Sequence, residues 1–222
     1  MFSDRFEAGL LLAEAVGTCA SDACLLAIPR GGIEVGHAMS LHLKRPLDVI
    51  IPRKIVLPED PELALGAMTL DGSIEMNREL VERLGLTESD LEDLVRPVRV
   101  EISRRLRLYR GEQPSPELEG REVILIDDGL ATGYTMMAAI KSVSREHPRR
   151  LVVAVPVSPA TTCGHLRSLV DEVVVLHQAR ESCFAVSAFY MNFRDLPDEE
   201  LVKLLDHKTP PPPAYKAAQS KS

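Results

Sequence analysis

The 222-residue sequence has few cysteines, no long apolar run and no excess of positive charge. Its longest apolar stretches, such as residues 151–157, are far too short to span a bilayer, and the first residues lack the basic start of an export signal. The net charge of −7 argues against a nucleic-acid coat protein, because a phosphate-binding surface must be basic. We therefore expect neither a membrane nor a nucleic-acid partner.

The four cysteines include no C-x-x-C pair, and the six histidines show no spacing typical of a zinc site. Without a secretory context, the cysteines are expected to be reduced and buried. The sequence thus predicts a cytoplasmic protein without a built-in zinc centre.

Short apolar runs alternate with segments of helical periodicity along most of the chain. Continuous apolar strands of this kind indicate a parallel sheet covered on both faces, so we predict a doubly wound, mostly parallel α/β fold. Residues 1–207 are expected to form one domain. Residues 208–222 begin near four consecutive prolines and are expected to form an extended tail.

Several local signals divide this pattern. Asp4 and Glu7 fit a capping box for a first helix. The Asp71-Gly72 pair between apolar runs predicts a hairpin. Residues 78–110 are expected to form helix in two pieces, the second starting at Thr87, with Pro97 interrupting or kinking it.

The stretch from Val123 to Thr135 is the most informative. An apolar strand ends at Asp127 and Asp128, where an open α/β sheet binds its ligands. A loop of small and hydroxyl residues follows, and then a helix begins, whose free N–H groups and dipole favour an anion. The pattern combines acceptors for sugar hydroxyls or a metal with a phosphate cradle.

A plain helix cap is the alternative interpretation of two aspartates before a turn. A second loop makes that alternative less attractive, because Pro29-Arg30-Gly31-Gly32 also lies between an apolar run and a helix. Glycine permits unusual backbone angles, and arginine offers forked donors to a pyrophosphate. Alone this second loop would be an ordinary turn.

The sequence resembles type I phosphoribosyltransferases, which bind 5-phosphoribosyl 1-pyrophosphate (PRPP). The resemblance runs from about residue 4 to residue 201, with landmarks at 28–36, 53–67 and 123–136. It is closest to a little-characterised subgroup of that superfamily. It implies that a nitrogenous base attacks the anomeric carbon of the sugar, that pyrophosphate leaves, and that Mg²⁺ is the cofactor.

The resemblance also implies residue roles. Asp127 and Asp128 would hold the ribose hydroxyls and, through substrate and water, the Mg²⁺, and Arg30 with Gly31 and Gly32 would form the pyrophosphate loop. The 5′-phosphate would lie against five consecutive residues: Ala131, Thr132, Gly133, Tyr134 and Thr135. Arg53 and Lys54 fall where family members carry a mobile cover loop, although an exposed surface pair is an equal alternative.

A small C-terminal hood over the base is implied for residues 177–200. Phe184, Phe189 and Tyr190 could stack on a flat base there, but core packing is expected for at least two of them. Three positions depart from the family pattern, namely Gly129, Ala131 and Ser187. Alanine at 131 resembles adenine-type members, which weakly favours a purine as the acceptor.

Six arginines lie on or near one predicted helix: Arg96, Arg99, Arg104, Arg105, Arg107 and Arg110. A solvated helix face is the favoured interpretation. The functional alternatives are a cover over pyrophosphate and an RNA contact, of which the first suits an acidic protein better. The whole sequence therefore predicts a phosphoribosyltransferase, expected by resemblance to form a homodimer. Two rivals remain, a non-catalytic PRPP- or nucleotide-sensing regulator and a domain that binds an ordinary nucleotide monophosphate.

Overall fold

The computed structural model describes residues 1–179 and 184–205, and strands alternate with helices along the chain. The strands are β1 (Cys24–Ala27), β2 (Leu47–Val49), β3 (Arg53–Leu57), β4 (Asp60–Met68), β5 (Ile74–Met76), β6 (Glu122–Ile126), β7 (Arg150–Pro159) and β8 (Glu172–Ala179). The helices are α1 (Arg5–Val16), α2 (Gly31–Leu43), α3 (Arg78–Arg83), α4 (Glu88–Arg110), α5 (Tyr134–Ser144), α6 (Ala160–Leu166) and α7 (Asp198–Leu205). The predicted tail, residues 208–222, lies outside the described residues, as do residues 180–183 of the predicted hood.

The central sheet has the strand order β2-β1-β6-β7-β8, and all of its neighbouring pairs are parallel. Successive residues of β6 are buried on opposite faces. Ile124 packs with the apolar residues of α1 and α2, whereas Leu125 packs with those of α5 and α6. This arrangement confirms the prediction of a parallel sheet covered by helices on both faces.

Beside this sheet, β3, β4 and β5 form a second, antiparallel sheet. The turn between β4 and β5 contains Gly72 at φ +84°, a left-handed conformation that suits glycine, so the predicted Asp71-Gly72 hairpin is confirmed. Arg53 and Lys54 lie in β3 and pair with Met68 and Ala67 of β4. They therefore occupy a strand and not a loop.

The helical region after this sheet divides as predicted, and α4 starts with a capping box between Thr87 and Asp90. Pro97 is expected to interrupt or kink α4. The predicted interruption is wrong, because α4 continues through Pro97. Proline leaves the carbonyl four residues earlier without its helical donor. Asp93 and Pro97 are both exposed, so water can satisfy that carbonyl.

The start of the chain pairs with a segment that lies before α7. Phe2 donates its backbone N–H to the carbonyl of Phe189 at 2.8 Å and accepts from the N–H of Met191 at 2.8 Å. This pairing places the start of α1, where Asp4 caps the helix as predicted, beside a short 3-10 turn at Val186–Phe189. Within the residues that the structure describes, no helix is long and apolar enough to cross a membrane.

Candidate functional site

The site forms where β1 and β6 end side by side in the central sheet. These strands are parallel neighbours, with Ala27 opposite Ile126, so the loops that follow them emerge at the same edge. The first loop contains a cis peptide between Pro29 and Arg30. The structure thus brings together the two loops that the sequence singled out.

The glycines of the first loop allow the second loop to approach. A Cβ atom at Gly31 would lie 1.9 Å from Oδ2 of Asp128, and one at Gly32 would lie 2.8 Å from the carbonyl oxygen of Ile126. Real Cβ atoms do not reach such distances. Gly32 is therefore required by its contact with the backbone of the second loop, whereas a side chain at Gly31 would force the Asp128 carboxylate to move.

The second loop leads into the start of α5. Gly133 is the N-cap of this helix with φ +81°, and having no side chain it leaves the first-turn N–H groups uncapped. Ala131 and Thr132 are exposed, and the carbonyl of Ala131 accepts a hydrogen bond from Oγ1 of Thr162 at 2.9 Å. Tyr134 and Thr135 form the partly buried first turn, so the predicted phosphate cradle is an open helix N-terminus.

The two carboxylates are partly buried at the mouth of this loop. Burial, together with the neighbouring charge of Asp128, raises the pKa of Asp127 well above its ordinary value. Burial also raises the pKa of Asp128, but the adjacent guanidinium of Arg5 opposes that rise. Oδ1 of Asp127 accepts from the backbone N–H of Asp128 at 2.8 Å, which fixes its orientation.

Arg5 is a site residue that the sequence analysis missed. Its guanidinium is 3% exposed, and its Nε donates to Asp128 at 2.8 Å while Nη1 donates to Glu34 at 3.1 Å. Nη1 also donates to the carbonyl of Arg194 at 2.9 Å, and Nη2 lies 3.4 Å from Oδ1 of Asp195. The one signal in the sequence was a cation in the first turn of a helix, where the dipole disfavours it unless carboxylates compensate.

Arg30 is held by the segment before α7. Its Nη2 donates to the carbonyl of Leu196 at 3.1 Å and lies 3.3 Å from Oδ2 of Asp195. Its Nε is buried and has no hydrogen-bond partner among the described residues. The Arg30 side chain is 38% exposed, so part of its guanidinium stays accessible to solvent.

The predicted hood residues pack with the N-terminus. Tyr190 is buried beside Phe2, with ring centroids 5.4 Å apart, and its hydroxyl donates to the carbonyl of Asp128 at 2.6 Å. Phe184 and Phe189 are partly buried and lie 5.5 Å apart. The three aromatic residues form one cluster behind the carboxylates, and their contact with a base stays a prediction.

The unusual glycine at position 129 has a steric explanation. A Cβ atom there would lie 2.6 Å from the side chains of both Val157 and Val186. The segment that carries the hood aromatics thus packs directly on the loop, and the larger apolar residue of other family members would not fit. Ser187 is exposed on that same segment.

The remaining predicted cations lie on β3 and α4. Arg53 is partly buried, and its pKa is lowered by burial and by the nearby Arg105. Lys54 is exposed. A covering role for Arg53 and Lys54 stays a prediction.

Most of the arginine row on α4 is engaged within the protein. Glu101 receives both Arg104 and Arg105 at 2.7–3.0 Å, and these bonds lower its pKa to about 2. Arg110 donates to Asp48 at 3.0 Å. Arg104 is exposed, as a solvated helix face requires, whereas Arg105 and Arg110 are largely buried, so the predicted solvated face covers only part of the row.

The comparisons with known proteins agree with this architecture. A profile of the phosphoribosyl transferase domain matches residues 8–187. Proteins of Mycobacterium tuberculosis strains CDC 1551 and H37Rv, provisionally assigned as phosphoribosyl transferases, are 34% identical to this chain over 207 residues. That match covers 93% of this chain and 46% of each relative, so the chain spans about half their length. The crystal structure of TT1426 from Thermus thermophilus is 37% identical, with a TM-score of 0.76, over 92% of this chain and 97% of that one. This chain therefore belongs to the phosphoribosyl transferase domain family.

Proposed function

We propose that this protein transfers the 5-phosphoribosyl group from PRPP to a nitrogenous base and releases pyrophosphate. The observation that carries the proposal is the contact between the two loops at the ends of β1 and β6. One loop presents two carboxylates and an open helix N-terminus, and the other presents the partly exposed guanidinium of Arg30. PRPP has the complementary groups, namely a diol between two anionic ends.

The arrangement assigns each end of this ligand to one loop. Asp127 and Asp128 would accept hydrogen bonds from the ribose 2′- and 3′-hydroxyls. The 5′-phosphate would bind the N–H groups from Ala131 to Thr135, where the helix dipole of α5 favours negative charge. Arg30 would donate to the pyrophosphate, beside the backbone of Gly31 and Gly32.

Mg²⁺ fits this donor set. This ion is usually held by one or two carboxylates together with substrate phosphates and water, and not by an all-protein cage. Asp127 and Asp128 are two partly exposed carboxylates next to the pyrophosphate loop. Among residues 1–179 and 184–205, no cluster of three or more metal-ligating side chains offers a closed alternative. When bound, the ion would offset charge on the departing pyrophosphate.

The chain itself then has to place the reactants and stabilise charge. A nitrogen of the base attacks the anomeric carbon as the bond to pyrophosphate breaks, through a transition state with oxocarbenium character. Arg30 would neutralise part of the leaving group's charge, which is an electrostatic contribution to catalysis. The two aspartates would hold the ribose ring in register with the base. No covalent nucleophile is needed.

The acceptor is proposed to be a flat nitrogenous base of the purine class. Ala131 is exposed and offers no acidic group to the base, as in adenine-type members. Tyr190 bonds through its hydroxyl to the carbonyl of Asp128, and Phe184 and Phe189 belong to the same aromatic cluster. These features support a planar aromatic acceptor without selecting one purine.

Binding and turnover test this proposal separately. Titration calorimetry with PRPP and Mg²⁺ should show binding by the wild-type protein and a loss of at least about tenfold in affinity for Asp128→Asn, because a charged hydrogen-bond acceptor is removed. Asp93→Asn is the matched control, since Asp93 is an exposed acid on α4. Unchanged affinity of Asp128→Asn would contradict the diol site.

A screen of purines, pyrimidines and related bases for pyrophosphate release should identify the acceptor. Firm PRPP binding without release for any base would instead favour the regulatory alternative, a PRPP sensor. Binding of ordinary nucleotide monophosphates in preference to PRPP would favour the other alternative, a domain that binds such nucleotides.

We also propose a cytoplasmic homodimer. Cys19, Cys24 and Cys163 are all free and buried, which supports a reducing compartment. Light scattering after size-exclusion chromatography tests the dimer, and a monomer mass would contradict it.

A further inference from the structure

Asp195 occupies a distinctive place beside the site. Its two carboxylate oxygens bridge the two arginines of the site, Oδ1 to Nη2 of Arg5 at 3.4 Å and Oδ2 to Nη2 of Arg30 at 3.3 Å. The side chain is nevertheless 57% exposed. An acid that is well solvated and yet aligned with two cations is easily displaced by a stronger anion.

Arg30 has the features of a cation that is only partly satisfied. Its side chain is 38% exposed, its partners are one exposed carboxylate and one backbone carbonyl, and its buried Nε has no partner among the described residues. A buried donor without a partner costs free energy until a ligand or water accepts from it. An arriving phosphate would compete for Nη2, the nitrogen that faces the solvated carboxylate of Asp195.

Arg5 offers Asp195 an alternative partner. Arg5 keeps Asp128, Glu34 and the carbonyl of Arg194 at 2.8–3.1 Å, so Asp195 is its most distant acceptor. A carboxylate released by Arg30 can therefore stay next to Arg5. Removing the Asp195 carboxylate by mutation also leaves the shorter hydrogen bonds of Arg5 intact.

From this geometry we propose that Asp195 is a positioning residue that acts through Arg30. Its carboxylate takes the place of a diphosphate anion on Arg30 and competes with that anion for the guanidinium. Asp195 therefore sets the affinity of the site for the pyrophosphate portion of its ligand. This inference rests on the proposed function, because it assumes that Arg30 receives a diphosphate.

The test is titration calorimetry of the full chain with pyrophosphate and Mg²⁺. Asp195→Asn should bind pyrophosphate about threefold to fivefold more tightly than the wild type, since the pair that must be broken is solvated and weak. Loss of a merely structural contact would not tighten binding. Asp195→Glu keeps the charge and should remain closer to the wild type.

Two controls isolate the effect. Asp93→Asn removes the same charge from an exposed ion pair on α4, so it reports the general effect of net charge and should change the affinity much less. In the Arg30→Gln background, adding Asp195→Asn should produce no gain, because the competition requires the guanidinium. The same gain in that background would overturn the inference.

The outcomes separate this inference from the function itself. If Asp195→Asn binds pyrophosphate no more tightly than the wild type or the Asp93→Asn control, Asp195 is not a competitor and the inference fails while the proposed function stands. If neither the wild type nor Asp195→Asn binds pyrophosphate, Arg30 is not a diphosphate site and both fail. Tighter binding that depends on Arg30 supports the inference.

Discussion

Replacing Arg5 with methionine should destabilise the protein strongly. The change removes a buried guanidinium that donates to Asp128 and Glu34, and Glu34 is itself buried. It also removes the stacking of the guanidinium on Phe193, whose ring centroid is 4.0 Å away. Breaking a buried ion pair by removing one partner costs about 3–5 kcal/mol, because the remaining charge stays buried without compensation.

Chemical denaturation at neutral pH, without ligand or Mg²⁺, measures this effect directly. In a thermal denaturation of the same variants, a loss of about 3–5 kcal/mol corresponds to a fall in Tm of about 6–20 °C for a domain of this size. Arg5→Lys should lie between the two proteins, since lysine keeps the charge but cannot donate in several fixed directions. Arg96→Met is the matched control, because Arg96 is 76% exposed and its pair with Asp93 should contribute less than about 1 kcal/mol.

A loss below about 1 kcal/mol for Arg5→Met would refute this reasoning. Such a result would mean that water reaches the Arg5 network and that its bonds resemble those of an exposed pair. The proposed binding role of Asp128 would then not depend on Arg5 for its orientation.

Three further changes probe the site. Gly31→Ala should lower the free energy of unfolding by about 1–3 kcal/mol, because its Cβ would collide with Asp128. The control Gly164→Ala, which has open space around it, should be neutral or stabilising, and equal effects of the two changes would contradict the close contact of the loops. Tyr190→Phe removes the hydroxyl that donates to the carbonyl of Asp128 and should cost about 1 kcal/mol in urea denaturation, with no loss if water replaces that donor. Asp127→Asn should have a higher free energy of unfolding than the ligand-free wild type at pH 7, because the pKa of Asp127 is raised in the folded state and its ionised form is penalised there. This difference should vanish as the pH falls below the ordinary pKa of 3.8, and identical denaturation midpoints at pH 7 would contradict it.

The sheet and the two loops could be predicted because their signals are local. The apolar run of β6 and the residues that follow it specify a strand, a turn and a helix start within thirteen residues. Parallel pairing then brings the end of β1 beside it. Local pattern and parallel pairing therefore account for the contact between the Arg30–Gly32 loop and Asp128.

The partners of those residues could not be predicted, because they come from distant segments. Arg5 lies 123 positions before Asp128, and no spacing rule relates the two. The close approach at Gly129 likewise depends on Val186, which belongs to a different part of the chain. The family resemblance predicts a loop at Arg53, whereas pairing with β4 makes Arg53 part of a strand.

The pairing of Phe2 with the segment before α7 has a consequence for how the domain folds during synthesis. Phe2 and Arg5 are synthesised before the central sheet, yet their contacts at Phe189 and Asp195 can form only after those later residues have been made. The central strands can associate earlier, so a nascent chain would hold a formed sheet with an unfinished pocket.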